Sequence, residues 1–339
     1  MSYPYHNRIV TVKQAKPNLI QKSGFVFFFA ACGLAVYRQG VLINMIDLSK
    51  LATEKRNAKT THLDSMSALE IATIMNEEDL CVIEAVKAQL PQIAKAIEYA
   101  TKALKNNARI IYIGAGTSGR LGMLDAAECP PTFGVSDNTV IGLIAGGDKA
   151  FLKAVEGAED SHTLCEQDLR RKNISSEDVV VGLAASGRTP YVVYGLRFAK
   201  KLGCKTIAIS CTKNAEISSE AEIAIELLVG PEVLTGSTRL KAGTAQKMVL
   251  NMISTGSMVG IGKVYQNMMV DLMQTNEKLH VRAENNVMAA VGCTRETARK
   301  MLDETGGSVK LSVASLLLHT TVEEARKRLA EAEGHICKM

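Results

Sequence analysis

The sequence contains no tryptophan, and aromatic residues make up only 4% of its 339 residues. Proteins that hold single-stranded nucleic acid stack bases on such rings. Basic residues do not compensate: 40 Lys and Arg stand against 35 Asp and Glu, a net charge of +5. That excess is spread along the chain without a dense basic block, so nucleic acid is excluded as the expected partner. None of the eight cysteines belongs to a C-x-x-C pair, and the six histidines do not cluster with them. This pattern excludes a zinc site and a disulfide framework. Scattered cysteines acting as small buried apolar residues suit a reducing cytoplasm, the expected location. No apolar run reaches the roughly 20 residues a membrane helix needs, and there is no low-complexity segment or solenoid repeat. What the chain does have is core: 47% of its residues are apolar. That is a globular composition, long enough for one large domain and a smaller piece.

The first 44 residues differ from the rest. Arg8, Lys13, Lys16 and Lys22 precede the apolar run GFVFFFAACGLAVY, Gly24 to Tyr37. The run is too short to span a bilayer. It resembles the apolar region of a signal peptide, and FAAC before Gly33 faintly resembles a lipoprotein cleavage site. The alternative, favoured here, is an upstream extension without a role in function, with Met45 as the natural first residue.

From Met45 a polar lead-in is followed by helical patterns. Ser67 and Glu70 spell a capping box before ALEIATIM, and a second helix is expected from about Glu77 to Lys105. Then short apolar runs alternate with helical ones. ARIIYIG, TVIGLIAGG, DVVVGLA, CKTIAIS and EIAIELLV read as five strands. SGRLGMLDAAE reads as a helix stopped by Cys129 and the pair Pro130-Pro131. The stretch from Asp148 to Lys172 reads as helix with a break near Gly157. Strand–helix alternation predicts an α/β fold, a three-layer parallel sheet of about five strands flanked by helices. A long Met-rich helix is expected from about Lys241 to Asn276, as core or as subunit interface. Short amphipathic helices follow, with Thr321 and Glu324 as another capping box. The expected organisation is an extension over 1–44, a main domain over 45–284 with N-terminal helices, and a small helical domain over 285–339.

The stretch GAGTSGR, Gly114 to Arg120, places a glycine turn between the first of these strands and a helix. Such a turn presents free backbone amides to an anion. Gly116 and Gly119 let the backbone approach, and Thr117 and Ser118 add hydroxyls. A tight strand-to-helix turn without a ligand has the same spelling. A dinucleotide site further requires an acidic residue ending the next strand, about 20 residues on. That strand ends in Ile144, Ala145, Gly146 and Gly147, so the requirement is not cleanly met. A P-loop requires Lys-Ser or Lys-Thr after the glycines, and none is there. A serine hydrolase lacks its G-x-S-x-G elbow. The third strand ends in a second turn, ASGRTP, where Ser186, Gly187, Arg188 and Thr189 open a helix. Two such turns on one sheet can clasp a single phosphate, which suits a phosphomonoester on a small polar molecule.

These two turns resemble the sugar-isomerase (SIS) domain family, which binds phosphosugars. Within it, GAGTSGRLGMLDAAECPPTFG, GLIAGG, AVEGAEDS, DVVVGLAASGRTPYV, TGSTRLKAGTAQKMVLNMISTG and MVDLMQTNEKLHVR are similar to blocks of the etherases that act on N-acetylmuramic acid 6-phosphate. The resemblance runs from about Leu51 to the C-terminus. It implies removal of D-lactate from the 3-position of the sugar, with no cofactor or metal. An opened sugar has an acidic C2 proton, so the C3 substituent leaves by β-elimination and water adds at C3. The chemistry requires a base at C2, an acid at the ether oxygen and donors for the enolate-like oxygen. The resemblance places Glu128, in DAAEC, and Glu159, in EGAED, at the catalytic positions. Glu128 is expected at a helix end, where the dipole disfavours its charge and suits it to donate a proton. Glu159, read from its surroundings alone, starts or punctuates a helix. Arg188 is placed for phosphate or for the lactyl carboxylate. Ser237, Thr238 and Lys241, in TGSTRLKAG, are further binding candidates with Arg239, and helix capping is the plain alternative for Ser237 and Thr238. Arg56 and Asn57 could also reach the site. The resemblance and the Met-rich helix together suggest a homodimer. A phosphosugar isomerase on the same fold and a regulatory phosphosugar-binding module remain alternatives.

Overall fold

Five runs of β-branched and aliphatic residues form the strands that organise the molecule. The computed structural model describes residues 21–22, 25–30, 33–38, 41–44, 52–274 and 277–339, in two compact units, Met1–Lys50 and Leu51–Met339. In the first unit, strands β1 (Gln21–Lys22), β2 (Phe25–Ala30), β3 (Gly33–Arg38) and β4 (Val41–Asn44) follow one another in an antiparallel sheet. The apolar run of this segment is therefore a hairpin, with Phe25 opposite Arg38 and Ala30 opposite Gly33. Ala31, Cys32 and Met45, on which the cleavage-site and start-site readings rest, lie outside the described residues.

The second unit opens with two helices, α1 (Ala68–Lys87) and α2 (Leu90–Lys105). The Ser67–Glu70 capping box is present in both directions. The division between these helices falls at Ala88–Gln89, and not near Glu77 as expected. Pro91 fits the first turn of α2, where no intrahelical amide is required of it. Then come β5 (Ile110–Gly114), α3 (Gly116–Phe133), β6 (Val140–Ile144), α4 (Lys149–Leu152), α5 (Leu164–Arg171), β7 (Val179–Leu183), α6 (Pro190–Leu202), β8 (Lys205–Ser210), α7 (Glu216–Ser219) and β9 (Ile223–Glu226). The five strands β5 to β9 form a parallel sheet in the order β6-β5-β7-β8-β9. Alternate residues along a strand face opposite ways. Tyr112, Val181 and Ile207 face a core built with α1, α2, α3 and α8 (Lys241–Gly260). Ile111, Ile113 and Val180 face a second core built with α5, α6 and α7. The expected three-layer arrangement is thus present.

Three further expectations about elements are corrected. Helix α3 does not stop at Cys129; it continues through Pro130 and Pro131 to Phe133, and Gly134 closes it at φ 59°, its amide donating to the Pro130 carbonyl at 2.9 Å. The buried face of Asp125, Ala126, Cys129 and Phe133 holds this last turn in place although the prolines remove two amides. The stretch after Asp148 is not one broken helix but two short ones, α4 and α5, separated by a loop over 153–163. Helix α8 ends at Gly260, where Gly262 takes φ 76° and a small hairpin follows, β10 (Val264–Tyr265) with β11 (Met268–Met269). The expected boundary at 284/285 falls inside α9 (Glu277–Val291). Helices α9, α10 (Arg295–Glu304), α11 (Val309–Leu318) and α12 (Val322–Glu331) enclose a third core that also takes in Val270 and Leu272. At α12 the Thr321 side chain accepts from the Glu324 amide, as the capping pattern predicts.

The seat of α3 on the sheet is close. A Cβ on Gly119 would lie 2.6 Å from Ile144 Cγ1 and 2.8 Å from the Gly114 carbonyl oxygen. A Gly119→Ala substitution is expected to destabilise the protein by about 1–3 kcal/mol, the usual cost of overpacking a tight contact. Chemical denaturation of the variant against the parent checks this.

Candidate active site

Strands β5 and β7 are neighbours, with Gly114 opposite Leu183 at their carboxyl ends. From β5 the chain crosses to β6 on one side and later returns to β7 on the other. The crevice above them is therefore a topological switch point, where parallel sheets bind ligands. Both predicted turns open onto it. After β5, Ala115 is extended and Gly116 takes φ 52°. The first backbone bond of α3 runs from the Gly119 amide to the Ala115 carbonyl, at 3.1 Å. The amides of Gly116, Thr117 and Ser118 precede it and have no intrahelical acceptor.

After β7, Gly187 takes φ 73° and its amide donates to Ala184 at 2.9 Å. Helix α6 then begins at Pro190 behind Thr189. Among the described residues, no protein group accepts from the amides of Ser186, Arg188 and Thr189, and none pairs with the Arg188 guanidinium. The two turns therefore offer unengaged donors side by side.

A cavity of about 250 Å³ lies beside the first turn, and Gly116, Arg120, Ala150, Glu156 and Glu159 line it. Glu159 sits in the loop between α4 and α5 and is exposed. Its carbonyl accepts from the Tyr191 amide, in the first turn of α6, at 3.0 Å. One backbone bond thus ties this loop to the helix that follows the second turn, while the cavity joins it to the first. Arg120 and Glu156 are not among the residues that the sequence singles out. Arg120 immediately follows the glycine turn, and Glu156 stands in the same block as Glu159.

Glu128 is elsewhere. It is exposed on α3, more than a turn before Phe133, so the helix-end argument for it does not hold. At 1.5 Å per residue it stands about 18 Å along the helix from Gly116. Leu124, 47% exposed, shares its face with Glu128, beside exposed Ala127 and Pro131. One chain does not bring Glu128 to the cavity that holds Glu159.

Other candidates are distributed differently. The Ser118 hydroxyl is buried and donates to Gln246 Oε1 of α8 at 2.9 Å. Thr117 and Thr238 flank α8: a methyl on Gly243 would lie 3.5 Å from Thr117 Cγ2 and 3.5 Å from the Thr238 carbonyl oxygen. The side chains of Ser237 and Thr238 do not cap α8, which starts at Lys241 behind Leu240, although the Thr238 carbonyl accepts from the Gly243 amide at 3.0 Å. The cap is Glu232, which is buried and accepts from the amides of Lys241, at 3.0 Å, and Ala242, at 2.9 Å. Burial raises the Glu232 carboxyl despite these two bonds. This cap comes from nine positions back, outside any local motif that a sequence pattern carries.

Lys241 is 1% exposed. Its Nζ lies 2.7 Å from Glu78 Oε2, which also accepts from Asn57 Nδ2 at 2.7 Å. Lys59 Nζ is 2.9 Å from the other Glu78 oxygen. Asn57 is thus engaged in this cluster. Arg56 lines a separate cavity of about 450 Å³ with Thr60 and Val233. The cluster joins α1, the lead-in and α8.

Beneath α3, Asp125 accepts from the Tyr112 hydroxyl at 2.9 Å, from Asn251 at 2.8 Å and from Ser254 at 3.1 Å. Burial raises its carboxyl against these three donors. Among the described residues, no group of three His, Cys, Asp or Glu side chains is placed to hold a metal ion. None of the described helices is long and apolar enough to cross a membrane.

Family models match part of the chain, and curated proteins match most of it. A model of the glucokinase regulatory protein N-terminal SIS domain matches residues 92–200, which include both turns, and a model of the SIS domain matches residues 161–255. The chain is 57% identical to N-acetylmuramic acid 6-phosphate etherase from Exiguobacterium sp. over 289 residues, 85% of this chain and 98% of that one. It is 56% identical to the protein of the same name from Salmonella typhi over 291 residues, 86% of this chain and 98% of that one. Among solved structures, phosphoheptose isomerase from Neisseria gonorrhoeae aligns with a TM-score of 0.44 and 18% identity, covering 56% of this chain and 96% of that one.

The Glu78 cluster yields a prediction about pH. Burial alone would raise the Glu78 carboxyl, but hydrogen bonds from Lys241, Lys59 and Asn57 outweigh it and hold it at about 2, below its ordinary 4.5. A carboxyl depressed in the folded state contributes stability above its unfolded value and loses it as the pH falls through the folded one. Denaturation midpoints are expected to drop between pH 4.5 and about 2. In Glu78→Gln the midpoint is lower at pH 7 and that part of the acid slope is absent.

Proposed function

Because the chain belongs to the N-acetylmuramic acid 6-phosphate etherase family, we propose that it cleaves the D-lactyl ether of that sugar phosphate in cell-wall amino sugar catabolism, with the 6-phosphate held between its two turns. The chain is a carbon–oxygen lyase of the SIS fold, and its substrate is a small phosphosugar. The observation that carries the site assignment is the pairing of unengaged donors. Among the described residues, three amides of α3, three amides of the second turn and the Arg188 guanidinium have no protein partner, and the two turns follow the neighbouring strands β5 and β7. An anion placed there accepts from all of them at little reorganisation cost.

The reaction follows from the substrate's chemistry. The sugar opens to its aldehyde, which makes the C2 proton acidic. Glu159, in the cavity beside the first turn, takes that proton. The electron pair left at C2 forms the C2–C3 double bond, and the C3–O bond breaks. Glu128 protonates the departing lactate oxygen. Water then adds at C3 and a proton returns to C2, so the sum is substrate plus water to N-acetylglucosamine 6-phosphate and D-lactate. Thr117 and Thr238, which both stand against Gly243 of α8, add donors for the phosphate, and Ser118, held by Gln246, fixes the turn. Lys241 acts through the Glu78 cluster and not on the sugar.

The separation of Glu128 from the cavity supports a homodimer in which each subunit lends this residue to its partner's site. The apolar surroundings of Glu128, with Leu124 at 47% exposed, suit burial against a second copy. The working compartment is the cytoplasm. The main domain and the C-terminal helices act as one catalytic body, and residues 1–44 have no part in the reaction.

Glu159→Gln and Glu128→Gln are each expected to lower lactate release by about 10²–10⁴, the usual worth of a general acid or base. Binding of N-acetylglucosamine 6-phosphate should be retained. Reassociated mixtures of the two variants should regain about a quarter of parental activity if sites are shared across a two-fold axis. Full lactate release by either variant alone would remove the assignment, and dead mixtures would remove the shared site.

A further inference from the structure

The loop carrying Glu159 has little of its own to hold it. Residues 151–157 are exposed. The backbone bonds within it, Ala158 to Val155, Asp160 to Gly157 and Ser161 to Ala158, are long, at 3.3–3.4 Å. Helix α4, which leads into it, is a single turn without a side-chain cap. The last carbonyls of a helix have no intrahelical donor. At α4 two carbonyls receive one side chain. Arg120 donates from Nε to the Phe151 carbonyl at 2.7 Å and from Nη2 to the Ala150 carbonyl at 2.9 Å. The other end is fixed by the bond from the Tyr191 amide to Glu159.

Arg120 stands on α3 one turn from the amides of Gly116, Thr117 and Ser118, and it lines the same cavity as Glu159. We propose that Arg120 is a positioning residue that clamps the start of the Glu159 loop to α3. The helix that offers amides to the phosphate then also sets where the proton-carrying carboxylate stands. A guanidinium suits this task because its planar fork meets two successive carbonyls at once, which a single ammonium cannot match. The inference rests on the reading of Glu159 given above.

The test uses full-length Arg120→Ala and Arg120→Lys proteins with three readouts. These are amide hydrogen exchange over residues 149–161, kcat and KM for lactate release from N-acetylmuramic acid 6-phosphate, and the Kd of N-acetylglucosamine 6-phosphate. In Arg120→Ala, exchange should quicken by about tenfold or more in the loop and not in α3 or the sheet. There kcat should fall by about tenfold or more, since small misplacement of a reacting group is costly. The product Kd should stay within about twofold, because the phosphate donors are untouched. Added guanidinium ion should restore part of kcat, and Arg120→Lys should lie between parent and Ala. Should the Ala variant fail to fold, the Lys variant carries the test in the same directions. Unchanged loop exchange would overturn the clamp. A product Kd weakened about tenfold with kcat unchanged would also overturn it, placing the guanidinium on the phosphate instead. Parent protein that releases no lactate would refute the reading of Glu159 while the exchange result still judged the clamp.

Discussion

Helix α3 rests on strands β5 and β6 with backbone against backbone. A side chain on Gly114 would strike the Gly119 amide nitrogen at 2.7 Å, and one on Gly142 of β6 would strike Met123 Cα at 2.5 Å. No side chain separates the helix from the sheet at these points, so the helix axis has little freedom to tilt or slide. The first amides of α3 are consequently fixed over the end of β5, next to the end of β7 and its own turn. Everything assigned to the site hangs on this seat. Arg120 reaches the α4 carbonyls from it, Ser118 meets Gln246 from it, and Thr117 abuts α8 at Gly243.

The buried charged groups Glu232, Lys241 and Asp125 each have partners within the protein. The amides at the start of α8 are taken by Glu232, and the buried Lys241 ammonium by Glu78. Asp125 is spoken for by three donors beneath α3. These groups stabilise the packing of α1, α3 and α8. Removing one partner of such a buried pair costs roughly 3–5 kcal/mol, which is why they serve the scaffold better than a transient ligand. Among the described residues the turn amides and Arg188 are left without a protein partner, on turns that follow the neighbouring strands β5 and β7.

The five strands were legible because each is a short apolar run closed by small residues, and the two turns because their glycines and hydroxyls stand at the ends of such runs. Less local features were not. Pro130 and Pro131 read as a stop, since the cost of a missing amide is local, whereas the packing of Cys129 and Phe133 that carries α3 past them is tertiary. Helix α8 read as too long because apolar Met and Val residues continue into the hairpin after Gly260. The capping role of Glu232 and the burial of Lys241 depend on contacts across nine and 163 positions. Periodicity carries no such information. Glu159 was found by resemblance, and its placement beside the turn came only from the fold.

The central claim is that one phosphate is gripped by both turns at the β5–β7 crevice. The most direct measurement is a crystal structure with N-acetylglucosamine 6-phosphate bound. The account predicts the phosphorus between residues 116–119 and 186–189, with Arg188 on its oxygens and the Glu159 carboxylate within reach of C2. A phosphate bound elsewhere, or held by one turn alone with Glu159 turned from the sugar, would contradict it.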